Sequence, residues 1–135
     1  MSSVLRRPMP VINEMNRYFW CGGKDGQLRI RRCGDCGRYH HPYQGCCDRC
    51  GSRNVSAVPV SGRGTVLAVT VNHQRWFPEI PAPYAIALVE LEEQSNIRLV
   101  TNLLAVPIEQ AKPGLAVKVH FEQHGEIFFP LFEPA

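Results

Sequence analysis

The sequence predicts a mainly β protein with a short N-terminal helix, a ribbon built around four cysteines, and a five-stranded barrel. Three observations predict this architecture. Five of the six cysteines lie between Cys33 and Cys50. Beyond residue 60 the apolar runs are short, and glycine- and proline-rich turns separate them. Helical spacing of apolar residues occurs in one stretch near the N-terminus.

We expect residues 1–26 to form a short amphipathic helix. Pro10 is compatible with a first helical turn, and Gly22-Gly23 would end the helix. Such an apolar stripe packs either on its own domain or on another subunit, and Met15 and Phe19 are the candidates for a docking role. The apolar residues at helical intervals are Val11, Ile12, Met15, Tyr18 and Phe19.

The ribbon is predicted to span residues 27–60. It opens with GQLRIRRC, whose alternating apolar and basic residues are typical of a half-buried strand. Two C-x-x-C-G units follow, which contribute Cys33, Cys36, Cys47 and Cys50. Each unit can form a tight turn that holds both sulfurs on one side, so two units together predict a tetrahedral metal site. The arginines around the units would partly neutralise four thiolates.

Zn²⁺ is the ion we expect, and iron is the alternative because a rubredoxin-type site of four cysteines accepts both. Disulfides are typical of secreted chains, and a thioredoxin-like redox pair needs one C-x-x-C at the start of a helix. Four protein ligands leave no open position, so the ion would be structural. Cys46 adjoins Cys47 and is a bystander or a reserve ligand. His40 and His41 are expected to be exposed at the tip between the units.

The barrel is predicted to span residues 61–135, beginning with the turn SGRG. The glycine and proline residues between its short apolar runs and the lack of a long helical pattern favour a small antiparallel barrel. An OB-fold is the commonest such barrel at this length. The five expected strands are Thr65–Val71, Tyr84–Leu91, Ile97–Leu104, Leu115–Phe121 and Ile127–Phe129.

Composition and charge exclude several classes of function. No apolar run approaches the roughly 20 residues of a membrane span, and no secretory signal is recognisable, so we expect a cytoplasmic protein. The net charge of +3 divides into +7 for residues 1–64 and −4 for residues 65–135. No nucleophile, phosphate-loop or dinucleotide motif is present, so we expect no independent active site.

The order of these features resembles that of a bacterial and archaeal family, in which a rubredoxin-like zinc ribbon is fused to an acyl-CoA-associated OB-fold. The stretches that carry the resemblance are the two C-x-x-C-G units, SGRGTVLAVTV, PYAIALVELEE, PGLAVKVHFE and FFPLFEPA. The resemblance implies that the four cysteines of the two units are the metal ligands. The sequence departs from the family pattern at Cys46.

The resemblance also implies a non-catalytic accessory or bridging subunit. Its partner would be a thiolase-like enzyme, such as a lipid-transfer-protein-type thiolase or aldolase, or a MaoC-type hydratase, in acyl-CoA or steroid side-chain metabolism. Arg75, Trp76 and Phe77 combine a cation with aromatic rings in one loop, a composition enriched at protein interfaces, although they could instead plug the barrel. Arg63 is a candidate to contact the phosphates of a coenzyme A held by the partner.

Two other functions stay open at this stage. Zinc ribbons and OB-folds also bind single-stranded nucleic acid, but the negative charge of the barrel half disfavours that function electrostatically. A free-standing acyl-CoA or lipid binder is the second alternative.

Overall fold

The computed structural model describes residues 7–42, 45–76 and 80–135. It contains one α-helix, two 3-10 turns and eight strands within these ranges. The helix is α1 (Arg17–Trp20), and the 3-10 turns are Gly22–Asp25 and Ile108–Gln110. The strands are β1 (Leu28–Cys33), β2 (Tyr39–His40), β3 (Val55–Val60), β4 (Arg63–Asn72), β5 (Tyr84–Leu91), β6 (Arg98–Asn102), β7 (Ala116–His124) and β8 (Ile127–Pro134).

The N-terminal helix is shorter than the apolar spacing predicts. Asparagine side chains occupy the backbone donors that a longer helix would use: Asn13 Oδ1 accepts the N–H groups of Met15 and Asn16. Asn16 in turn accepts the N–H of Asn13 and donates to the carbonyl of Val11. Asparagine competes with helical hydrogen bonding in this way, so only one turn of α-helix forms. Met15 lies before that turn.

The ribbon is a three-stranded antiparallel sheet in the order β2-β1-β3. Strand β1 is the central strand, and it pairs with β3 from Leu28 opposite Val60 to Cys33 opposite Val55. The two cysteine turns extend from the far end of this sheet. The sheet therefore holds one cysteine turn directly at the end of its longest ladder.

The second sheet has the order β6-β5-β4-β7-β8 and is antiparallel throughout. A parallel bridge between Leu103 and Phe132, with a hydrogen bond from Leu104 N to Phe132 O, brings the segment after β6 against β8 and closes the sheet. This is the connectivity of a five-stranded OB-fold barrel, so the predicted fold class is confirmed. Within the described ranges, no helix is long and apolar enough to cross a membrane.

Ribbon and barrel share apolar packing. Leu28 and Ile30 of β1 are 1% and 0% exposed and belong to the same buried cluster as the barrel residues. Gln94, in the turn after β5, accepts the N–H of Tyr39 and donates to its carbonyl, so the barrel also pairs with strand β2. The metal end of the ribbon is thereby held in a fixed position on the barrel.

Candidate metal centre

The two cysteine turns have the same backbone construction. Gly37 N donates to Cys33 O and Gly51 N donates to Cys47 O, each at 2.9 Å. Gly37 and Gly51 have φ values of 82° and 77°, a left-handed conformation that glycine adopts without the steric cost of a Cβ. Glycine after the second cysteine therefore closes each turn, as the repeated C-x-x-C-G pattern indicates.

The turns bring four sulfur atoms together. Cys33 Sγ lies 3.7 Å from Cys50 Sγ, and Cys36 Sγ lies 3.5 Å from Cys47 Sγ. All four sulfurs lie within 4.8 Å of one another. A tetrahedral ion with metal–sulfur bonds of about 2.3 Å requires sulfur separations of roughly 3.8 Å. The donor set therefore fits a tetrahedral metal site with four thiolate ligands.

The thiols differ in acidity because their surroundings differ. The backbone N–H of Cys36 is the main cause that lowers the pKa of Cys33 to about 6. The N–H of Ser52 lowers the pKa of Cys50, but burial and the neighbouring thiols outweigh it and raise that pKa to about 12. Four close thiols cannot all ionise readily without a cation, so metal binding is coupled to proton release.

Polar contacts tie the two turns to each other. Arg38 Nε donates to Asp48 Oδ1 at 2.7 Å, and Ser52 Oγ donates to Asp35. Each contact joins a residue of one C-x-x-C-G unit, or its neighbour, to the other unit. They orient the turns independently of the sulfurs and so reduce the entropy lost when an ion is bound.

The two adjacent cysteines differ sharply in burial. Cys47 is 2% exposed and belongs to the sulfur cluster, and it accepts the N–H groups of Arg49 and Cys50. Cys46 is exposed and lies outside that cluster. The spacing of the second unit is therefore satisfied by Cys47, and Cys46 faces a polar cavity beside His40 and His41.

The tip histidines are less exposed than the sequence predicts. His40 is 7% exposed, and its Nδ1 lies 3.7 Å from Asp48 Oδ1. His41 stacks on Phe19 with ring centroids 4.8 Å apart, and its burial lowers its pKa. His40, Asp48 and Cys47 form a second group with metal-ligand spacing, but this group shares Cys47 with the four-sulfur set. A consecutive His-His in a polar loop gives no sequence signal for this burial.

The other predicted site residues are spread over the surface. Met15 and Trp76 are 47% and 67% exposed, and Arg63 and Arg75 are also exposed. Trp76 Nε1 donates to Asn72 Oδ1 at 3.2 Å, which fixes the start of its loop against β4. Phe19 is 9% exposed and packs between Trp20 and His41, so it contributes to the core. Phe77 lies outside the described residues.

Family models match both parts of the chain. Residues 20–56 match "ChsH2, rubredoxin-like zinc ribbon domain", and residues 57–122 match "ChsH2, C-terminal OB-fold domain". The chain belongs to the ChsH2 family. The family resemblance predicted from the sequence is thereby confirmed, and the four-sulfur site lies within the ribbon match.

Two relatives of the chain carry functional names. The chain is 37% identical over 130 residues to the "Probable enoyl-CoA hydratase alpha subunit" of Thermomonospora curvata, covering 96% of the chain and 40% of the relative. It is 35% identical over 112 residues to the "3-oxo-4,17-pregnadiene-20-carboxyl-CoA hydratase alpha subunit" of Mycobacterium tuberculosis, covering 83% and 35%. The chain thus spans well under half the length of either relative.

A solved ChsH2-type structure matches nearly the whole chain. A chain of the "Ltp2-ChsH2(DUF35) aldolase" is 35% identical and superposes with a TM-score of 0.84. The match covers 93% of this chain and 98% of that chain. The described ribbon and barrel therefore share the fold of that chain over nearly its whole length.

Proposed function

We propose that this protein is a non-catalytic accessory subunit that docks on a thiolase-like enzyme, of the lipid-transfer-protein type, or on a hydratase. The observation that carries the proposal is the structural match to a chain of the "Ltp2-ChsH2(DUF35) aldolase", whose name joins two proteins. The match covers 98% of that chain. The two hydratase alpha subunits place the relatives in acyl-CoA chemistry, one of them with a steroid substrate. The proposed setting is therefore acyl-CoA or steroid side-chain metabolism in the cytoplasm.

Zn²⁺ is the proposed occupant of the site formed by Cys33, Cys36, Cys47 and Cys50. Bound there, it would supply structural cross-linking only, because four thiolates complete its coordination. Iron is the alternative, and the two ions differ in colour. Elemental analysis of protein prepared anaerobically, together with a visible absorption spectrum, distinguishes them. One equivalent of zinc and a solution that stays colourless on exposure to air are expected, whereas one equivalent of iron and a red colour after oxidation by air would assign iron.

The docking surface we propose is centred on Arg75 and Trp76 in the loop after β4, with Met15 and Phe77 as separate candidates. Exposed tryptophan is the residue type that contributes most often to interface energy, and Trp76 is 67% exposed. Trp76→Ala should weaken capture of a thiolase-like partner by about thirtyfold, which corresponds to about 2 kcal/mol. Leu67→Ala, at an exposed strand residue on β4, is the matched control. If both variants captured the partner equally well, Trp76 would not belong to the proposed docking surface.

Arg63 is proposed to contact the phosphates of a coenzyme A that the partner holds. It lies opposite Lys118 on the neighbouring strand β7, so two cationic side chains are direct cross-strand neighbours. In the assembled complex, Arg63→Ala should raise KM for the acyl-CoA by about tenfold with little change in kcat, as expected for lost charge-assisted contacts. Arg53→Ala, at an exposed ribbon arginine, is the control. An unchanged KM would refute the contact.

The assay that tests the proposal as a whole uses the purified chain with and without its partner. The chain alone should not turn over acyl-CoA thioesters, and acyl-CoA turnover should depend on adding the partner.

Three arginines that could bind nucleic acid already have contacts within the protein: Arg29 pairs with Asp25, Arg38 pairs with Asp48, and Arg32 stacks on Tyr39. Submicromolar, salt-sensitive binding of single-stranded RNA or DNA would instead favour a nucleic-acid function.

A further inference from the structure

The middle of the outer surface of strands β5 and β6 is apolar where a barrel normally faces water, whereas Glu90 and Arg98 form a charged pair at one end. Along β5, Ala85, Ala87, Val89 and Leu91 point into the barrel, and the alternate residues point outward. Those outward residues include Tyr84, Ile86 and Leu88, and Leu88 pairs with Val100 of β6, which is 75% exposed. An antiparallel sheet with one solvated face usually alternates apolar and polar residues. This part of the sheet is therefore suited to an apolar partner or ligand.

A cavity of about 360 Å³ lies against this surface. Its walls are the outer face of β5 and β6, the middle of β8 with Phe129, the aromatic pair Phe19 and Trp20, and Arg7 from the segment before α1. Ile80, in the loop that joins β4 to β5, also lines it. The cavity is open to solvent, and its volume falls within the range of small-molecule sites, about 300–1,000 Å³.

The position of the cavity in the fold is also informative. Strands β5 and β6 are the second and third strands of the barrel, and OB-folds bind their ligands on this face beside the loop that joins the first two strands. OB-folds that bind nucleic acid or sugar offer exposed stacking rings and hydrogen-bonding groups on that face. Here the face is mostly hydrocarbon, so the matching ligand is apolar.

One end of the cavity carries a polar group whose charge is already balanced. Arg7 Nε donates to Glu122 Oε1 at 2.6 Å, and Arg7 Nη1 donates to Asn102 Oδ1 at 2.9 Å. These bonds use two of the five N–H donors of the guanidinium. Since Glu122 neutralises its charge, Arg7 is suited to donate to a neutral carbonyl rather than to bind an anion. The cavity thus combines a hydrocarbon body with one hydrogen-bonding end.

We propose that this cavity binds the apolar acyl body of a coenzyme A thioester, a carbonyl-bearing ring system or chain. The ligand class rests on the proposed function, because the acyl-CoA setting comes from the relatives. The cavity itself lies within this chain and needs no residue from a partner. The accessory subunit would then hold the acyl portion of the substrate as well as dock on the enzyme.

The test measures ligand binding to the isolated full chain through Trp20. The chain has two tryptophans, so Trp76→Phe leaves Trp20, which lines the cavity, as the single reporter. In this background, the emission of Trp20 is titrated with progesterone as a polycyclic ketone, with dodecanoate as a linear chain, and with coenzyme A lacking an acyl group. Saturable binding of progesterone or dodecanoate is expected, and which of the two binds identifies the acyl type. Coenzyme A alone should give no change.

Val100→Asp places a carboxylate at the rim of the cavity, at a site exposed enough for the fold to accept it. It should weaken apolar ligand binding by at least about tenfold, because a charge there must stay solvated. The matched control is Val11→Asp, since Val11 is 83% exposed and does not line the cavity. If Val100→Asp fails to fold, Ile86→Phe narrows the same cavity without adding charge.

Three results would overturn the proposal: no binding of either apolar probe, binding that Val100→Asp and Val11→Asp weaken equally, or no ligand binding together with loss of partner capture when Val100→Asp is made in the chain that keeps Trp76. The last result would assign the surface to a protein partner. Failure of the proposed function looks different, because ligand binding would then persist in a chain that captures no partner enzyme.

Discussion

The metal end of the ribbon and the barrel are stabilised by different kinds of interaction. At the metal end, the buried apolar cluster of the described residues consists of Cys33, Cys47 and Val55, and two of its three members belong to the four-sulfur set. Among the residues that the structure describes, the barrel cluster has thirteen buried members, including Val66, Val89 and Phe132. A segment with so little apolar surface to bury cannot offset its conformational entropy without a cross-link. The metal end should therefore depend on its ion, and the barrel should not.

The boundary between the region stabilised by an ion and the region stabilised by apolar burial does not follow the sequence boundary between ribbon and barrel. Leu28 and Ile30 belong to the ribbon by sequence but pack in the barrel cluster, whereas Cys33, at the end of the same strand, belongs to the metal cluster. Strand β1 is thus anchored at one end by apolar burial and at the other by thiolates. The predictions below test this division, in order of decreasing expected effect.

Cys47→Ser should abolish metal binding and unfold the segment from Cys33 to Asn54, while the barrel stays folded. Structural zinc contributes about 10–16 kcal/mol in small domains, far more than the apolar contacts of this segment can replace. Metal content and amide hydrogen exchange measure the two effects separately. Cys46→Ser, one residue away, should keep both the ion and the protection. Loss of metal in Cys46→Ser would show that the adjacent thiol is a ligand.

Leu28→Ala should destabilise the barrel although Leu28 lies in the ribbon strand. Its side chain is 1% exposed, and removing it leaves a cavity that costs about 3 kcal/mol in the free energy of unfolding. Urea denaturation with the metal bound measures the change. Val55→Ala, at the metal end, should loosen only the ribbon tip. If the two variants had the same effect on barrel stability, ribbon and barrel would form a single cooperative unit without a division.

Gly64→Ala tests the packing within the barrel alone. A Cβ at Gly64 would lie well inside van der Waals contact with the carbonyl oxygen of Glu90 on the neighbouring strand β5, and backbone cannot move aside as a side chain can. The expected loss is about 1–3 kcal/mol, the usual cost of overpacking. Gly22→Ala is the control, since the nearest atom to its Cβ would be Arg29 Cδ at 3.5 Å. A Gly64→Ala protein as stable as the control would contradict the close strand approach.

Features set by local spacing were predictable from the sequence. The C-x-x-C-G repeat specified both the left-handed glycines and the four sulfurs, because each turn is determined within five residues. The five barrel strands were also predicted, although β4 and β8 extend further than expected, from Arg63 and to Pro134. Period-two patterning and turn residues carry this information in the chain itself.

Features that depend on side-chain competition or on distant contacts were not predictable in this way. The helix near Met15 was overestimated because the side chain of Asn13 takes a backbone donor and that of Asn16 takes a backbone carbonyl, which apolar spacing does not report. The burial of His40 depends on the pairing of the two-residue strand β2 with β1, where His40 lies opposite Arg31. The cavity beside β5 had a readable signal, because YAIALVEL is apolar at consecutive positions and so predicts a strand with two apolar faces.

The smallest predicted effect concerns the contact that holds the N-terminal segment against the barrel. Burial raises the pKa of Glu122, but hydrogen bonds from Arg7 and His124 outweigh it, so the net pKa is lowered. A carboxylate with a lowered folded-state pKa stabilises the protein above its unfolded pKa, about 4.3 for glutamate, and this contribution is lost as the pH falls through the folded value. The contact should therefore persist from neutral pH to about pH 5 and weaken below about pH 4.

Glu122→Gln removes this pH-dependent contribution, and its cost at pH 7 should be about 1 kcal/mol because the carboxylate is partly exposed to solvent. Glu126→Gln is the matched control, since Glu126 is exposed and 3.9 Å from Arg17. Acid also releases metal from thiolates, so the informative quantity is the difference in unfolding free energy between the two variants from pH 7 to pH 3.5. That difference should shrink in the acid range. A constant difference would show that Arg7 is held by packing on the barrel instead of by the charge on Glu122.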